Sequence, residues 1–288
     1  MFLSGIADEA GNPLEMQIRA HKELGWKHIE IRNVNETTLA LADEKQFEEI
    51  HSQLQKAGIQ VSCFASRIAN WSRDILGPFD VDVDELKRSI PRMRKMKTPY
   101  IRIMSYTNKS NIPEAQWRTE ALRRIRELVK IAEDGGVTIV HENCDGWGGL
   151  GPKQTLDLIE AVGSPALKLV FDTGNTVPHG HASFDYYAQV KPHVVYVHIK
   201  DMRKAGDKST PCFPGEGQGE VAKIVGDLLS SGYKGGISIE PHIAAIVHEG
   251  KTSDAAAMFN TYVEYGRRLM ALVEEANKGV AKKPRRGK

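Results

Sequence analysis

Cysteine is scarce: Cys63, Cys144 and Cys212 are the three in 288 residues, an odd count without Cys-x-x-Cys spacing. A disulfide framework and a thiolate zinc cage are thereby disfavoured, and reduced thiols in a cytosol suit the pattern better. Net charge is also nearly absent, with 39 Lys and Arg against 37 Asp and Glu, so the chain has no field to draw nucleic acid. No apolar run approaches the roughly 18 residues of a membrane span. A basic n-region is missing from the start, where Asp8-Glu9 interrupts before an h-region of signal-peptide length can form. The expectation is a cytoplasmic protein with no membrane partner and no nucleic-acid partner. The one basic run, Ala281 to Lys288, contains Pro284 and Gly287 and reads as a solvated tail, 281–288, behind a single domain over 1–280.

What is present is alternation. Short apolar runs ending in polar residues alternate with longer amphipathic stretches along the whole chain, the signature of repeated strand-helix units. Eight strands are expected: Phe2 to Ala7, His28 to Arg32, Gln60 to Phe64, Tyr100 to Met104, Thr138 to Glu142, Leu167 to Asp172, Val194 to Ile199 and Gly236 to Glu240. The intervening helices are expected over Leu14–Leu24, Asp43–Ala57, Asp84–Met96, Glu114–Asp134, Pro152–Val162, Phe184–Val190 and Val221–Ser231, and Ser253–Ala276 closes the ring. Gly25, Gly58 and the pair Gly135-Gly136 sit where helices need a left-handed stop, and Pro113 and Pro152 sit at helix starts. Eight pairs without Gly-x-Gly-x-x-Gly after the first strand favour a closed (β/α)8 TIM barrel of the α/β class over an open doubly wound sheet. Two segments are long for loops, Ala65 to Val83 and Asp201 to Glu220. Both leave C-terminal strand ends, where barrels build their sites.

Strands five to eight each end on a metal-competent side chain: Glu142, Asp172, His198 and Glu240. At a barrel mouth these ends converge, so three carboxylates and one imidazole would share a space. Such a cluster repels itself unless a cation neutralises it. One divalent ion is therefore expected as cofactor. Three oxygens and one nitrogen suit a fairly hard ion, Mn²⁺ first, with Mg²⁺, Co²⁺ or Zn²⁺ as substitutes.

His141-Glu142-Asn143, Phe171-Asp172-Thr-Gly-Asn175, Val197-His198-Ile-Lys-Asp201, Phe213-Pro-Gly-Glu-Gly217 and Ile239-Glu240-Pro-His242 together resemble the xylose-isomerase-like barrel superfamily. It comprises sugar isomerases and epimerases, inosose dehydratases, hydroxypyruvate isomerases and metal-dependent apurinic endonucleases of family 2. The likeness spans nearly the whole chain and implies an enzyme of carbohydrate metabolism. By resemblance to the ketose epimerases, Glu142 and Glu240 would bind the metal and flank the substrate carbon, one taking a proton and the other returning it. The implied activity is isomerisation or epimerisation of a small keto-sugar through an enediolate. The alternative on the same site is a lyase or dehydratase acting on a keto-sugar or inosose. Asn175 stands where the epimerases carry a histidine, and together with the Lys200-Asp201 pair it keeps that alternative alive. The endonucleases need further histidines that strands two and four do not end on, which opposes DNA repair. A non-catalytic sugar-binding barrel would have no need of two opposed glutamates.

Other residues are candidates for holding the substrate. Arg203 and Lys200 follow the strand-seven histidine, at or near the position where the epimerases place an arginine; Glu30 and Arg32 end strand two, and His242 follows strand eight. Phe64, Trp71 and Trp147 could stack on a sugar face, with core packing as the alternative. Strand alternation turns His141 away from Glu142, and His179 and His181 fall in a loop after strand six. Gly215, Gly217 and Gly219 could offer N–H groups to a phosphate. The sequence leaves a homo-oligomer open.

Overall fold

The computed structural model describes residues 1–246 and 250–281. Of the expected tail, residues 282–288 lie outside the described residues. Eight strands form one sheet, β1 (Phe2–Gly5), β2 (His28–Ile31), β3 (Gln60–Ala65), β4 (Tyr100–Ser105), β5 (Thr138–Gly146), β6 (Leu167–Asp172), β7 (Val194–Ile199) and β8 (Gly236–Ile239). All ladders between them are parallel, in the order β1-β8-β7-β6-β5-β4-β3-β2. A single parallel bridge between Ile6 and Glu30 brings β1 to β2 and nearly closes the barrel.

Each strand is followed by a helix: α1 (Leu14–Glu23), α2 (Glu44–Ala57), α3 (Asp80–Met96), α4 (Glu114–Gly135), α5 (Pro152–Val162), α6 (Ser183–Val190), α7 (Val221–Ser230) and α8 (Ala255–Ala281). The expected TIM barrel is the fold observed. Local chemistry sets the ends. Asp43 caps α2, its carboxylate accepting from Gln46 N at 2.8 Å while Gln46 Oε1 accepts from Asp43 N at 2.9 Å, and Gly58 stops that helix at φ 69°. Helix α3 begins at Asp80, four residues before the expected Asp84, with Asp80 and Asp82 in its first turn where the helix dipole favours negative charge.

Period-two alternation sorts the strands' side chains into two shells. Ile139, Phe171 and Val197 face outward and join the large clusters between strands and helices. Val140, Val170 and Tyr196 form, with Cys63, a separate small cluster that fills the barrel interior. Two residues further along the same strands, on the same inner side, stand Glu142, Asp172 and His198. The Tyr196 hydroxyl meets Ser62 Oγ at 2.8 Å, and Ser62 meets Ser4 Oγ at 3.0 Å, so these three hydroxyls beneath the mouth satisfy one another.

Candidate active site

The strand register brings the four expected ligands together. Asp172 pairs across β6 and β7 with His198, and the Glu240 N–H donates to Ile199 O at 3.0 Å just past the end of β8. One ligand atom from each of Glu142, Asp172, His198 and Glu240 lies within 4.8 Å of all the others, and all four residues are buried.

Each cage residue is aimed by fixed neighbours. Asp172 Oδ1 accepts from the backbone N–H groups of Gly174 at 2.8 Å and Asn175 at 2.7 Å, which turns Oδ2 toward the cage. Asn143 clasps the Asp172 backbone reciprocally, donating to its carbonyl at 2.9 Å and accepting from its N–H at 2.7 Å. Glu142 Oε2 takes a 2.9 Å hydrogen bond from Arg102 Nη1, leaving Oε1 3.1 Å from His198 Nδ1 and 3.4 Å from Asn175 Nδ2. His198 Nε2 lies 3.1 Å from both carboxylate oxygens of Glu30, so that nitrogen donates its N–H to Glu30 and Nδ1 faces the cage. Glu240 Oε2 accepts from Lys200 Nζ at 2.9 Å, and its Oε1 lies 3.3 Å from Arg32 Nη1.

Charge in this space is unbalanced. Six buried carboxylates, Asp8, Glu9, Glu30, Glu142, Asp172 and Glu240, are met by three buried Arg and Lys side chains, Arg32, Arg102 and Lys200. Burial pushes the Asp172 carboxyl up to about 6, Lys200 only partly offsetting it. Glu142 responds the other way: burial opposes ionisation, but Arg102 and His198 outweigh it and hold the carboxyl down at about 2. His198 is held well above the usual histidine value because Glu30 and Glu142 overcome the penalty of burial. Three carboxylates and an imidazole within mutual reach, with local negative charge in excess, fit a divalent cation of oxygen-preferring chemistry.

A cavity of about 830 Å³ opens over the cage, lined among others by Glu142, Glu240, Asn175, Lys200, Arg102 and Trp71. Arg32 and His242 line it too, but both are engaged with acids. Arg32 holds Asp8 at 2.9 Å and Glu9 at 3.3 Å, while the His242 N–H donates to Glu9 Oε2 at 2.8 Å. Among the other expected substrate contacts, two are not brought to the cavity wall. Glu30 is fully buried with its carboxylate engaged by His198. Arg203 stands 58% exposed on the hairpin Asp201–Ala205 and Lys208–Cys212, pointing to Glu216 at 3.4 Å. Lys200 sits deeper than expected, its Nζ 3.1 Å from Asp172 Oδ2, a member of the cage as much as of the wall.

The glycine-rich loop is a correction. Its N–H groups are already taken: Gly215 and Gly217 donate to Asp201 Oδ2 at 2.8 and 3.0 Å, and Gly219 donates to Oδ1 at 2.8 Å. The chain's own carboxylate fills the place a phosphate would need. Phe64 and Trp147 belong to the main core, so of the three aromatics Trp71 alone reaches the cavity. His141 is fully buried outside the lining, close to Gly148, and His181 Nε2 meets Leu150 O at 2.8 Å. His179 does line the cavity, 3.3 Å from Asp145.

Arg102, Asp8 and Glu9 were not expected in the site. Arg102 lies inside a strand two residues before Met104, which lines the same cavity, so inward alternation was the available signal. Asp8 and Glu9 follow the first strand in a short 3₁₀ turn, and an acidic pair directly after a barrel strand was the signal there.

Known proteins share this architecture. A structure of L-ribulose 3-epimerase superposes with a TM-score of 0.75 at 17% identity, covering 100% of this chain and 99% of that one. In sequence, the chain is 28% identical over 198 residues to a 2-epi-5-epi-valiolone 7-phosphate 2-epimerase of an Actinoplanes species, which covers 67% of each chain. It is 25% identical over 150 residues to an inosose dehydratase of Bacillus thuringiensis, covering 47% of this chain and 50% of that one. With residues 18–262 matched by the family's model and its eight parallel strands carrying a buried Glu-Asp-His-Glu cage at their C-terminal ends, the chain belongs to the xylose isomerase-like TIM barrel family.

Proposed function

We propose that the protein is a divalent-metal-dependent isomerase or epimerase of a small keto-sugar. Four buried ligand atoms within 4.8 Å of one another at the floor of an open cavity carry the reading. Glu142, Asp172, His198 and Glu240 would hold the ion. When bound, it polarises a substrate carbonyl and lowers the cost of negative charge on the oxygen.

The chain's own residues supply the rest. Glu142 from β5 and Glu240 beyond β8 both line the cavity, and each keeps its carboxylate ionised against burial: Arg102 and His198 act on Glu142, and Lys200 and His242 on Glu240. One takes the proton from the carbon beside the carbonyl and the other returns it, a role that contributes typically about 10²–10⁴-fold. Asn175 Nδ2, next to Glu142 Oε1, donates to a substrate hydroxyl. The Lys200 ammonium beside Glu240 also gives a second reading its footing: it can protonate a departing oxygen, which would make the same first step lead to elimination. Similarity to an inosose dehydratase and the presence of Asn175 support that reading.

The test is solvent exchange. In deuterated water, a substrate drawn from ketoses, keto-glycosides and inososes gains deuterium at the carbon beside its carbonyl, and Glu142→Gln abolishes the gain while sugar still binds. A product of unchanged mass apart from deuterium means isomerase or epimerase; loss of water or of an aglycone means lyase. Turnover without any exchange, or protein loaded with Mn²⁺, Mg²⁺, Co²⁺ or Zn²⁺ that retains no stoichiometric metal on elemental analysis, would refute the proposal.

A further inference from the structure

Among the described residues, four Arg or Lys residues line the cavity: Arg32, Arg67, Arg102 and Lys200. Three are matched, Arg32 with Asp8, Glu9 and Glu240, Arg102 with Glu142, and Lys200 with Asp172 and Glu240. Arg67 is not. Among the described residues its guanidinium makes no ion pair or side-chain hydrogen bond. Glu85 feels that charge through space, but its Oε1 accepts from the Arg67 backbone N–H at 2.9 Å.

The segment that carries Arg67 is held in place rather than left loose. The Ala69 N–H donates to the buried Asp82 at 3.3 Å, Arg73 approaches Asp82 at 3.5 Å, and Asn70 Oδ1 accepts from Ser72 N at 3.0 Å. The Ser66 hydroxyl donates to Arg102 O at 2.5 Å, and Arg102 Nη2 donates back to Ser66 O at 3.0 Å, so this turn is locked to the residue that holds Glu142. Arg67, Asn70, Trp71 and Ser72 all face the cavity from it. Two rim acids share the lining, Glu36 and Asp145. Asp145 faces His179 at 3.3 Å, and Glu36 forms no ion pair with Arg67 among the described residues. About 830 Å³ lies in the upper part of the range of about 300–1,000 Å³ for small-molecule sites, leaving room beyond a bare keto-sugar. The other place for an anion, the glycine loop, is filled by Asp201.

We propose that Arg67 receives an anionic group of the substrate, a phosphate or a carboxylate carried on the end away from the Glu142-Asp172-His198-Glu240 cage. The assignment rests on the keto-sugar reading and narrows it to charged keto-sugars. A planar guanidinium on an anchored turn offers two parallel N–H donors to either group. Asn70 and Ser72 flank it with polar groups.

Calorimetric binding to the full chain in Mg²⁺ tests it, with D-ribulose, D-ribulose 5-phosphate, D-fructuronate (a 2-ketose whose carboxylate is on the carbon farthest from the carbonyl end) and inorganic phosphate as ligands. At low ionic strength, one charged ketose binds at least about tenfold tighter than ribulose, as expected for a charge-assisted bidentate contact, and added salt reduces the ratio. Arg67→Met brings the ratio within about twofold, whereas Arg67→Lys keeps part of it, since Lys is a point charge without the fork. Which of the two charged ketoses wins distinguishes phosphate from carboxylate. Equal binding of all three ketoses, a ratio that survives Arg67→Met, or no binding of any ligand overturns the assignment. If no ketose binds while inorganic phosphate binds in an Arg67-dependent way, the anion site stands and the keto-sugar reading falls. If ribulose exchanges solvent deuterium without any gain from charge, the reverse holds.

Discussion

Replacing Asp201 should be among the most damaging changes outside the cage. Its carboxylate is fully buried and accepts four backbone N–H groups: Gly215 and Gly217 on Oδ2, Gly219 and Met202 on Oδ1, all between 2.8 and 3.0 Å. Hydrogen bonds to a charged group contribute about 1.5–3 kcal/mol each, but they cannot simply be added, because the loop can undock and hydrate its amides once the acceptor is gone. The cost of Asp201→Ala is therefore about 3–5 kcal/mol, the range of a broken buried network. For a chain of this size that lowers Tm by about 6–15 °C. Asp201→Asn is the sharper test. Whichever way the amide turns, its NH2 confronts two N–H donors, so the isosteric change should still cost about 2–4 kcal/mol. A methyl on Gly217 would run into Asp201 Oδ1 and the Met202 carbonyl, so Gly217→Ala should fail in the same way. Denaturant titration gives the loss, and hydrogen exchange at Gly215, Gly217 and Gly219 locates it. Asp201→Asn within about 0.5 kcal/mol of the parent would refute the account of this loop.

Two further outcomes are expected. Glu30→Gln removes the charged partner of His198 Nε2 while keeping its shape, and should weaken divalent-metal affinity about 10–100-fold; unchanged affinity by competitive chelator titration would count against Glu30 as the group that orients the ring. His21 is fully buried, its Nδ1 hydrogen-bonded to Gln17 O at 2.8 Å, and burial lowers its pKa from 6.5 to about 4. Since the folded value lies below the unfolded one, the unfolded state takes the proton first. Stability present above pH 6.5 is thus lost as pH falls toward 4, by up to roughly 3 kcal/mol. His21→Gln should flatten that part of the stability–pH curve, and an unchanged slope between pH 6.5 and 4 would contradict the assignment.

The fold was legible because the barrel repeats one local signal eight times. Each apolar run, its glycine stop and its following amphipathic helix can be read without knowing what lies beside it. Glu142, Asp172, His198 and Glu240 were legible for a related reason: strand ends of a closed barrel must converge, so position along the strand stood in for position in space. What failed depended on partners distant in sequence. Arg203 follows the strand-seven histidine closely, yet the Asp201–Cys212 hairpin carries it outward to Glu216. Gly215, Gly217 and Gly219 spell an anion-binding turn, and they bind an anion, but it is Asp201, fourteen residues before the first of them. Nothing in the spacing of the glycines tells an internal carboxylate from an external phosphate. Arg102 was passed over because an arginine within a strand reads as a surface residue until the barrel closes around it.

The arrangement also separates what the cage can decide from what it cannot. In Asp172 and Glu142 one carboxylate oxygen is tied by fixed donors, Gly174 and Asn175 N–H in the first case and Arg102 in the second, and the other oxygen is aimed inward. His198 is fixed in the same sense, one nitrogen on Glu30 and the other toward the cage. On the proposed keto-sugar activity, geometry so constrained by backbone and buried side chains would leave little freedom to tell one keto-sugar from another, because every such substrate would present the same carbonyl and neighbouring hydroxyl to it. Discrimination would then come from groups that reach the rest of the molecule: Arg67 and Trp71 on the turn after β3, Asp145 at the end of β5 and its neighbour His179 beyond β6. Arg67, Trp71 and His179 belong to loops, which can change without disturbing the strand register that builds the cage. Substitutions there should therefore alter which compound binds while leaving metal affinity intact. Substitutions at Asn143, Arg102 or Glu30 should do the opposite, since those side chains touch the cage residues and not the far end of the substrate.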